Sequence, residues 1–242
     1  MSALLDIQSV SKSFRALRAV ANASFIVEPN TIAALIGPNG AGKTTLFNMV
    51  AGVLVPDSGA IWFSGQRIDG FRPDQVCVRG IARTFQNAKP FTGLSVLDNV
   101  IVGALRCSSA TRDARKYAAI ILDELGLGPK RNFPASSLTL PDRKKLEVAR
   151  ALATRPQLLL LDEVMAGMRP AECEQLVTLL RAINRRDGIT ILLIEHVMRA
   201  VMALAEKVIV LHHGEVVAQG FAGQVVRDPA VLECYLGEDS EL

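Results

Sequence analysis

The stretch TIAALIGPNGAGKTTLFNMVAG, residues 31–52, constrains this chain more than any other. It opens as an apolar run, which suits a strand buried on both faces of a parallel sheet. Gly37, Gly40 and Gly42 follow in one short loop, and Leu46, Met49 and Val50 then recur at helical spacing. Within it, Gly37-Pro38-Asn39-Gly40-Ala41-Gly42-Lys43-Thr44 fits GxxxxGK[ST] in the strand–loop–helix setting that pattern requires. The glycines let the backbone wrap an anion with its N–H groups pointing inward, and the helix start adds positive field. Lys43 has the reach for β- and γ-phosphate oxygens, and the Thr44 hydroxyl can ligate Mg²⁺. Thr45 completes the phosphate-facing set.

Other β-rich runs are LLDIQSV, ASFIVE, AIWFSG, IARTFQ, LLLLD, ITILLIE, KVIVLHHG and EVVAQG. LLLLD and ITILLIE are apolar throughout, like TIAALIG, and so belong to the same buried sheet. The early strands, with hairpin-like breaks at EPN and FSG, read as antiparallel. Between Lys89 and Pro156 strand signals stop. Helical patterns replace them at LSVLDNVIVGALR, TRDARKYAAIILDELGL and DRKKLEVARALA, broken by Gly126, Gly128 and Pro129. A helical insert therefore interrupts an α/β core: residues 1–88 form its first part, 89–156 the insert, and 157–242 its second part and tail.

LLLLDE ends in Asp162, which can hold Mg²⁺, and Glu163, placed to polarise an attacking water. ITILLIEHV ends a second buried strand in Glu195-His196. Taken alone, His196, Gln86 at the end of IARTFQ, and Phe14 in SKSF would be unremarkable. Together, and in this order, they resemble the nucleotide-binding subunits of ABC transporters over essentially the whole chain. The resemblance implies an α/β P-loop NTPase fold, a RecA-like core with an antiparallel β subdomain and an inserted helical subdomain. It implies ATP and Mg²⁺ as cofactors, with Phe14 against adenine and Gln86 touching both Mg²⁺ and the attacking water. His196 would bond the γ-phosphate. Two such subunits would clamp two ATPs, each between one subunit's P-loop and the other's signature helix.

GIARTFQNAKPFTGLSVLDNV, the AGMRP segment after Glu163, and GEVVAQGFAGQVVRDPAVLECYLG look like ATPases of branched-chain amino-acid importers. That branch implies a second ATPase subunit, two membrane permease subunits and, indirectly, a periplasmic binding protein, with this chain on the cytoplasmic face of the bacterial inner membrane. The tail YLGEDSEL is also similar to the ATPase of the lipopolysaccharide exporter, a rival reading. A nucleotide-gated regulatory subunit with little hydrolysis is a further alternative. ABC proteins that act on ribosomes or DNA typically carry two such domains or a long coiled-coil insert, and neither pattern is present.

The family's signature, usually Leu-Ser-Gly-Gly-Gln, aligns with Leu138-Thr139-Leu140-Pro141-Asp142. Thr139 suits the cap of the helix RKKLEVARAL and Pro141 its first turn. Leu146, Ala149 and Leu152 or Ala153 form one face of that helix; Arg143, Lys144, Lys145 and Arg150 form another. Thr139 keeps the hydroxyl that meets phosphate. Pro141 has lost the N–H of the second glycine, and Asp142 brings a carboxylate toward an anion. One lost charge-assisted bond, at ~1.5–3 kcal/mol, corresponds to roughly ten- to hundredfold in rate if felt fully in the transition state. Arg169 likewise stands where a small Asn or Asp is usual. Either the subfamily tolerates both changes, or the site that uses this helix start is the slower one.

A net charge of +3 on 242 residues gives no argument for nucleic acid. Cys77, Cys107, Cys173 and Cys234 show no CxxC spacing and read as reduced thiols. Asp6 interrupts what a signal peptide would need as an apolar run, and no apolar stretch reaches the roughly 18–20 residues of a membrane span. Half of the residues are apolar, which leans toward some apolar surface being covered by a partner.

Overall fold

The computed structural model describes residues 3–85, 89–108, 110–229, 231 and 234. Gln86, which the sequence places in the site, and the tail 235–242 lie outside the described residues.

Two long strands, β1 (Leu5–Phe14) and β2 (Leu17–Val27), form an antiparallel hairpin that turns at Arg15-Ala16. Then come β3 (Ile32–Ile36), α1 (Lys43–Val50), β4 (Ser58–Phe63), β5 (Gln66–Arg67), α2 (Pro73–Val78) and β6 (Ile81–Arg83). Helices α3 (Val96–Ala104), α4 (Thr111–Glu124) and α5 (Leu140–Ala153) follow. The chain resumes with β7 (Leu158–Asp162), α6 (Pro170–Asp187), β8 (Thr190–Ile194), α7 (Met198–Leu204), β9 (Lys207–His212), β10 (Glu215–Phe221) and α8 (Ala222–Val225).

The strands make two sheets. One is antiparallel, in the order β2-β1-β4-β5; the other runs β10-β9-β3-β8-β7-β6 and is parallel from β9 to β6. The break at FSG is the β4–β5 hairpin, with Phe63 opposite Gln66. The break at EPN is not a hairpin. It carries the chain from the antiparallel sheet into the parallel one, because the five residues of β3 are all buried and need a sheet covered on both faces.

Period-two alternation divides the central strands between two cores. Ile32, Ala34 and Ile36, Leu159 and Leu161, and Ile191 and Leu193 face one core, built with α3–α7. Ala33 and Leu35, Leu158 and Leu160, and Leu192 and Ile194 face the other, built with α1 and the antiparallel sheet. Every residue of β3, β7 and β8 is buried, so the apolar runs of the sequence are the middle layer of a sandwich. Between β6 and β7, among the described residues, the only strand-like pairing is the isolated bridge Ser95–Pro134. No described helix is long and apolar enough to cross a membrane.

Phe47 of α1 is fully buried in the core shared with the antiparallel sheet. Phe47→Ala should therefore lower the unfolding free energy by about 3–5 kcal/mol. Chemical denaturation measures this directly, and a loss under about 1 kcal/mol would mean that α1 does not tie the two sheets together.

Candidate functional site

Parallel strands in register end at one edge, and this edge gathers the polar residues. The loop after β3 is wedged between β2 and β9: a Cβ on Gly42 would lie 2.2 Å from the Ala19 carbonyl oxygen, and one on Gly37 1.9 Å from that of Leu211. Both also have positive φ, 101° and 145°, so glycine is required on two counts. Gly42 caps α1 with no side-chain bond, which leaves the helix's first N–H groups to face the cleft. Lys43 is buried; its Nζ donates to the carbonyl oxygens of Gly37 at 2.7 Å and Pro38 at 2.6 Å, folding the side chain over its own loop.

A cleft of about 420 Å³ opens above this loop. The structure brings Phe14, Asn39 to Thr45, Glu163 and His196 to its lining. Arg18 and His213 line it too, although nothing in the sequence pattern marks either residue. Phe14 is partly exposed, with Lys12 Nζ 6.0 Å from its ring centre. The signature residues Leu138 to Asp142 do not line this cleft.

Asp162 is fully buried at the end of β7. Its Oδ2 accepts from Arg83 Nη2 at 2.8 Å, its backbone N–H donates to Thr84 Oγ1 at 3.1 Å, and its Oδ1 has no hydrogen-bond partner. Arg83 also bonds Asn48 of α1. An orphaned, buried carboxylate oxygen beside the phosphate loop, together with the Thr44 hydroxyl, suits a hard cation such as Mg²⁺. Among the described residues no group of three or more His, Cys, Asp or Glu side chains could hold a metal.

Glu163 sits in the left-handed region, φ 50°, a strained position for a residue with a side chain. Its carbonyl accepts from Ala166 N–H at 3.3 Å, and further bonds hold it. Its N–H donates to Ile194 O at 2.9 Å, its carbonyl accepts from Lys144 Nζ at 3.0 Å, and its Oε1 accepts from His196 Nε2 at 2.7 Å. The sequence placed Lys144 on a basic face of α5, but the side chain is buried. Its partner is a strained backbone carbonyl contributed by a distant segment, which helical periodicity does not register.

Glu195 is buried beside this turn, where Oε1 accepts from Met165 N–H at 2.8 Å. Burial pushes its carboxyl up to about 7, while the Met165 N–H and the Lys144 ammonium pull the other way. Its inward direction follows the alternation that also turns Ile191 and Leu193 toward the core built with α3–α7.

Thr139 caps α5, its Oγ1 accepting the Asp142 N–H at 3.4 Å, and Pro141 occupies the first turn. The missing proline N–H is one of four that a helix start leaves without intrahelical partners, so the substitution spares α5 while removing a donor. Asp142 is not an uncompensated anion: its Oδ2 meets Lys130 Nζ and accepts from the Thr139 hydroxyl at 2.8 Å. Arg169 caps α6; Glu172 accepts from its N–H at 2.9 Å and pairs with its guanidinium at 2.7 Å. The Arg169 side chain remains largely exposed.

A parallel sheet presenting a glycine loop, a buried aspartate and a Glu–His pair at one edge defines a P-loop nucleotide-binding fold of the ATP-binding cassette kind. The chain belongs to the ABC transporter family, whose sequence pattern it matches over residues 20–166. It is 36% identical to the high-affinity branched-chain amino acid transport ATP-binding protein LivG of Escherichia coli strain K12, over 97% of this chain and 98% of that one. It is 34% identical to the lipopolysaccharide export system ATP-binding protein LptB of Acidithiobacillus ferridurans over the full length of both. The crystal structure of the ADP conformation of MJ1267, an ATP-binding cassette of an ABC transporter, superposes with a TM-score of 0.88 at 28% identity, covering 98% of this chain and 100% of that one.

The raised Glu195 carboxyl has a consequence for stability. The folded state keeps this proton up to about pH 7, whereas the unfolded chain releases it near 4.5. The unfolded state therefore binds fewer protons in that window, and stability falls as pH rises through it, by about 1–3 kcal/mol. Glu195→Gln preserves the acceptor for Met165 and should flatten the decline between pH 4.5 and 7. Parallel denaturation curves for the two proteins across that range would contradict the assignment.

Proposed function

We propose that this chain is the ATP-hydrolysing subunit of a bacterial transporter that takes up branched-chain or related hydrophobic amino acids through separate membrane subunits. The observation that carries hydrolysis is the Glu163–His196 pair facing the glycine loop across one cleft. In this reading the N–H groups of the loop 37–42 and of the start of α1 hold the phosphates, and Lys43 exchanges its loop carbonyls for β- and γ-oxygens. Thr44 and Thr45 line the same phosphates, and Phe14 packs on adenine. Mg²⁺, held by Thr44 and Asp162 with Gln86, would neutralise charge developing between the β- and γ-phosphates. Glu163 takes a proton from the attacking water. His196 holds Glu163 in place and reaches the γ-phosphate by exchanging that bond.

Similarity to LivG favours amino-acid import, and similarity to LptB keeps lipopolysaccharide export as the second reading. We further propose that residues 89–156 act as the family's helical subdomain, that a second ATPase subunit completes the site in trans, and that membrane subunits seat this chain on the cytoplasmic face of the inner membrane. An apolar groove of about 260 Å³ beside Val53, Phe85 and Val102, each half-exposed, supports such a partner at the junction of β6 and α3.

In the assembled complex, Lys43→Ala should abolish tight MgATP binding. Glu163→Gln should keep binding and lose turnover by about a hundredfold or more, because an amide cannot take up the proton. Normal steady-state hydrolysis by the Glu163→Gln complex would remove Glu163 from this role. Stimulation of turnover by a periplasmic protein loaded with a branched-chain amino acid tests the substrate class, and stimulation by lipopolysaccharide instead would select the exporter.

If the partner ATPase carries a glycine signature, the two sites are unequal. Lys43 and Glu163 of this chain then face the complete signature, and the partner's nucleotide faces Thr139, Leu140, Pro141 and Asp142. Single-turnover hydrolysis with each subunit's glutamate changed to Gln in turn should leave about ten- to hundredfold less rate when Glu163 is the one removed. Pairing with Lys130 reduces the repulsion expected of Asp142, so the lost Pro141 N–H carries most of the difference. Equal residual rates would show that the helix start works without its glycine.

A further inference from the structure

Lys144 is a buried ammonium on α5, the helix whose start offers Thr139 and Asp142 to the partner's nucleotide in the reading above. A buried lysine is costly unless its charge and donors are matched. Here the match is specific: Nζ donates to the carbonyl of Glu163 at 3.0 Å. Two residues on, the N–H of Met165 is held by the buried carboxylate of Glu195 at 2.8 Å. The segment 163–165 thus has one carbonyl and one N–H fixed by two buried ionisable side chains, one from α5 and one from the end of β8. Glu163 itself, held between its N–H bond to Ile194 O at 2.9 Å and its carbonyl bond from Lys144, adopts φ 50°, which the surrounding structure must impose.

We infer that Lys144 is a positioning residue for Glu163: by gripping the Glu163 carbonyl it holds the strained backbone that aims the carboxylate at His196 and the cleft. The inference rests on the reading of Glu163 as the base that takes the water's proton. It also gives α5 two duties, because one helix presents its start to the partner's nucleotide and fixes the base for this chain's own.

The test uses the full complex with its membrane and partner subunits and compares Lys144→Met, Lys144→Arg, Glu195→Gln, Glu163→Gln and the double variant Lys144→Met/Glu195→Gln. Lys144→Met keeps the apolar stem and removes the donor. It should lower kcat about ten- to hundredfold while KM for ATP and the affinity for a fluorescent ATP analogue stay within about twofold. Lys144→Arg, which still donates, should recover most of kcat. The double variant removes both ionisable groups, so above pH 7, where Glu195 is ionised, it should regain the thermal stability that Lys144→Met loses without regaining kcat. Full turnover by Lys144→Met, or recovery of kcat together with stability in the double variant, would overturn the inference and reduce Lys144 to charge balance. Should Lys144→Met fail to fold, the double variant supplies the same comparison. Glu163→Gln separates the two readings: normal turnover there removes the base itself, whereas lost turnover there with normal turnover in Lys144→Met removes only the role of Lys144.

Discussion

The parallel ladder among β3, β8 and β7 is the constraint on which the rest of this molecule depends. These strands are buried on both faces, so their backbone polar groups must be satisfied within the sheet. The register that satisfies them also sets where each strand ends. Glu163 extends the ladder one bond past β7 by donating to Ile194, the last residue of β8. The residues that follow the two strands, Glu163 and His196, are thereby brought to a 2.7 Å hydrogen bond. Beside them β3 delivers the glycine loop, seated between carbonyls of β2 and β9 that leave no room for a side chain at Gly37 or Gly42.

Charge is buried around this edge only in matched form. Asp162 meets Arg83, and Arg83 in turn holds Asn48 of the phosphate-loop helix. Lys144 and Glu195 brace the turn that carries Glu163. Replacing a buried ion pair such as Asp162–Arg83 with apolar side chains is often neutral or stabilising, so stability alone does not explain it. The common property of these side chains is position: each fixes a backbone or carboxylate within a few residues of the cleft. Asp162 Oδ1 is the complementary case, a buried acceptor with no hydrogen-bond partner.

The start of α5 shows how a proline can remove a backbone donor without disturbing the helix that follows. Proline is well suited to a helix's first turn, and Thr139 supplies the cap, so α5 forms as its sequence directs. What proline removes is a donor that the helix never needed internally. Asp142, which by charge alone would repel phosphate, has its carboxylate engaged by Lys130 and the Thr139 hydroxyl.

Apolar runs and glycine spacing determined the buried strands, the phosphate loop and the helical stretch before β7, because burial on two faces and positive φ each admit few residue types. Asp162 and Glu163 stood out as polar residues ending an apolar strand, whereas His196 stood out only through the resemblance to ABC ATPases. The sequence left open what depends on pairing across distance. EPN reads as a hairpin until β3 is seen to need a second sheet. Lys144 reads as a solvated charge until the turn after β7 brings it a carbonyl. Arg83 and Glu195 gain partners only when neighbouring strands and α5 are in place. Periodicity reports which face a residue turns to, whereas the residue waiting on that face belongs to another segment of chain, and only tertiary packing brings the two within hydrogen-bond distance.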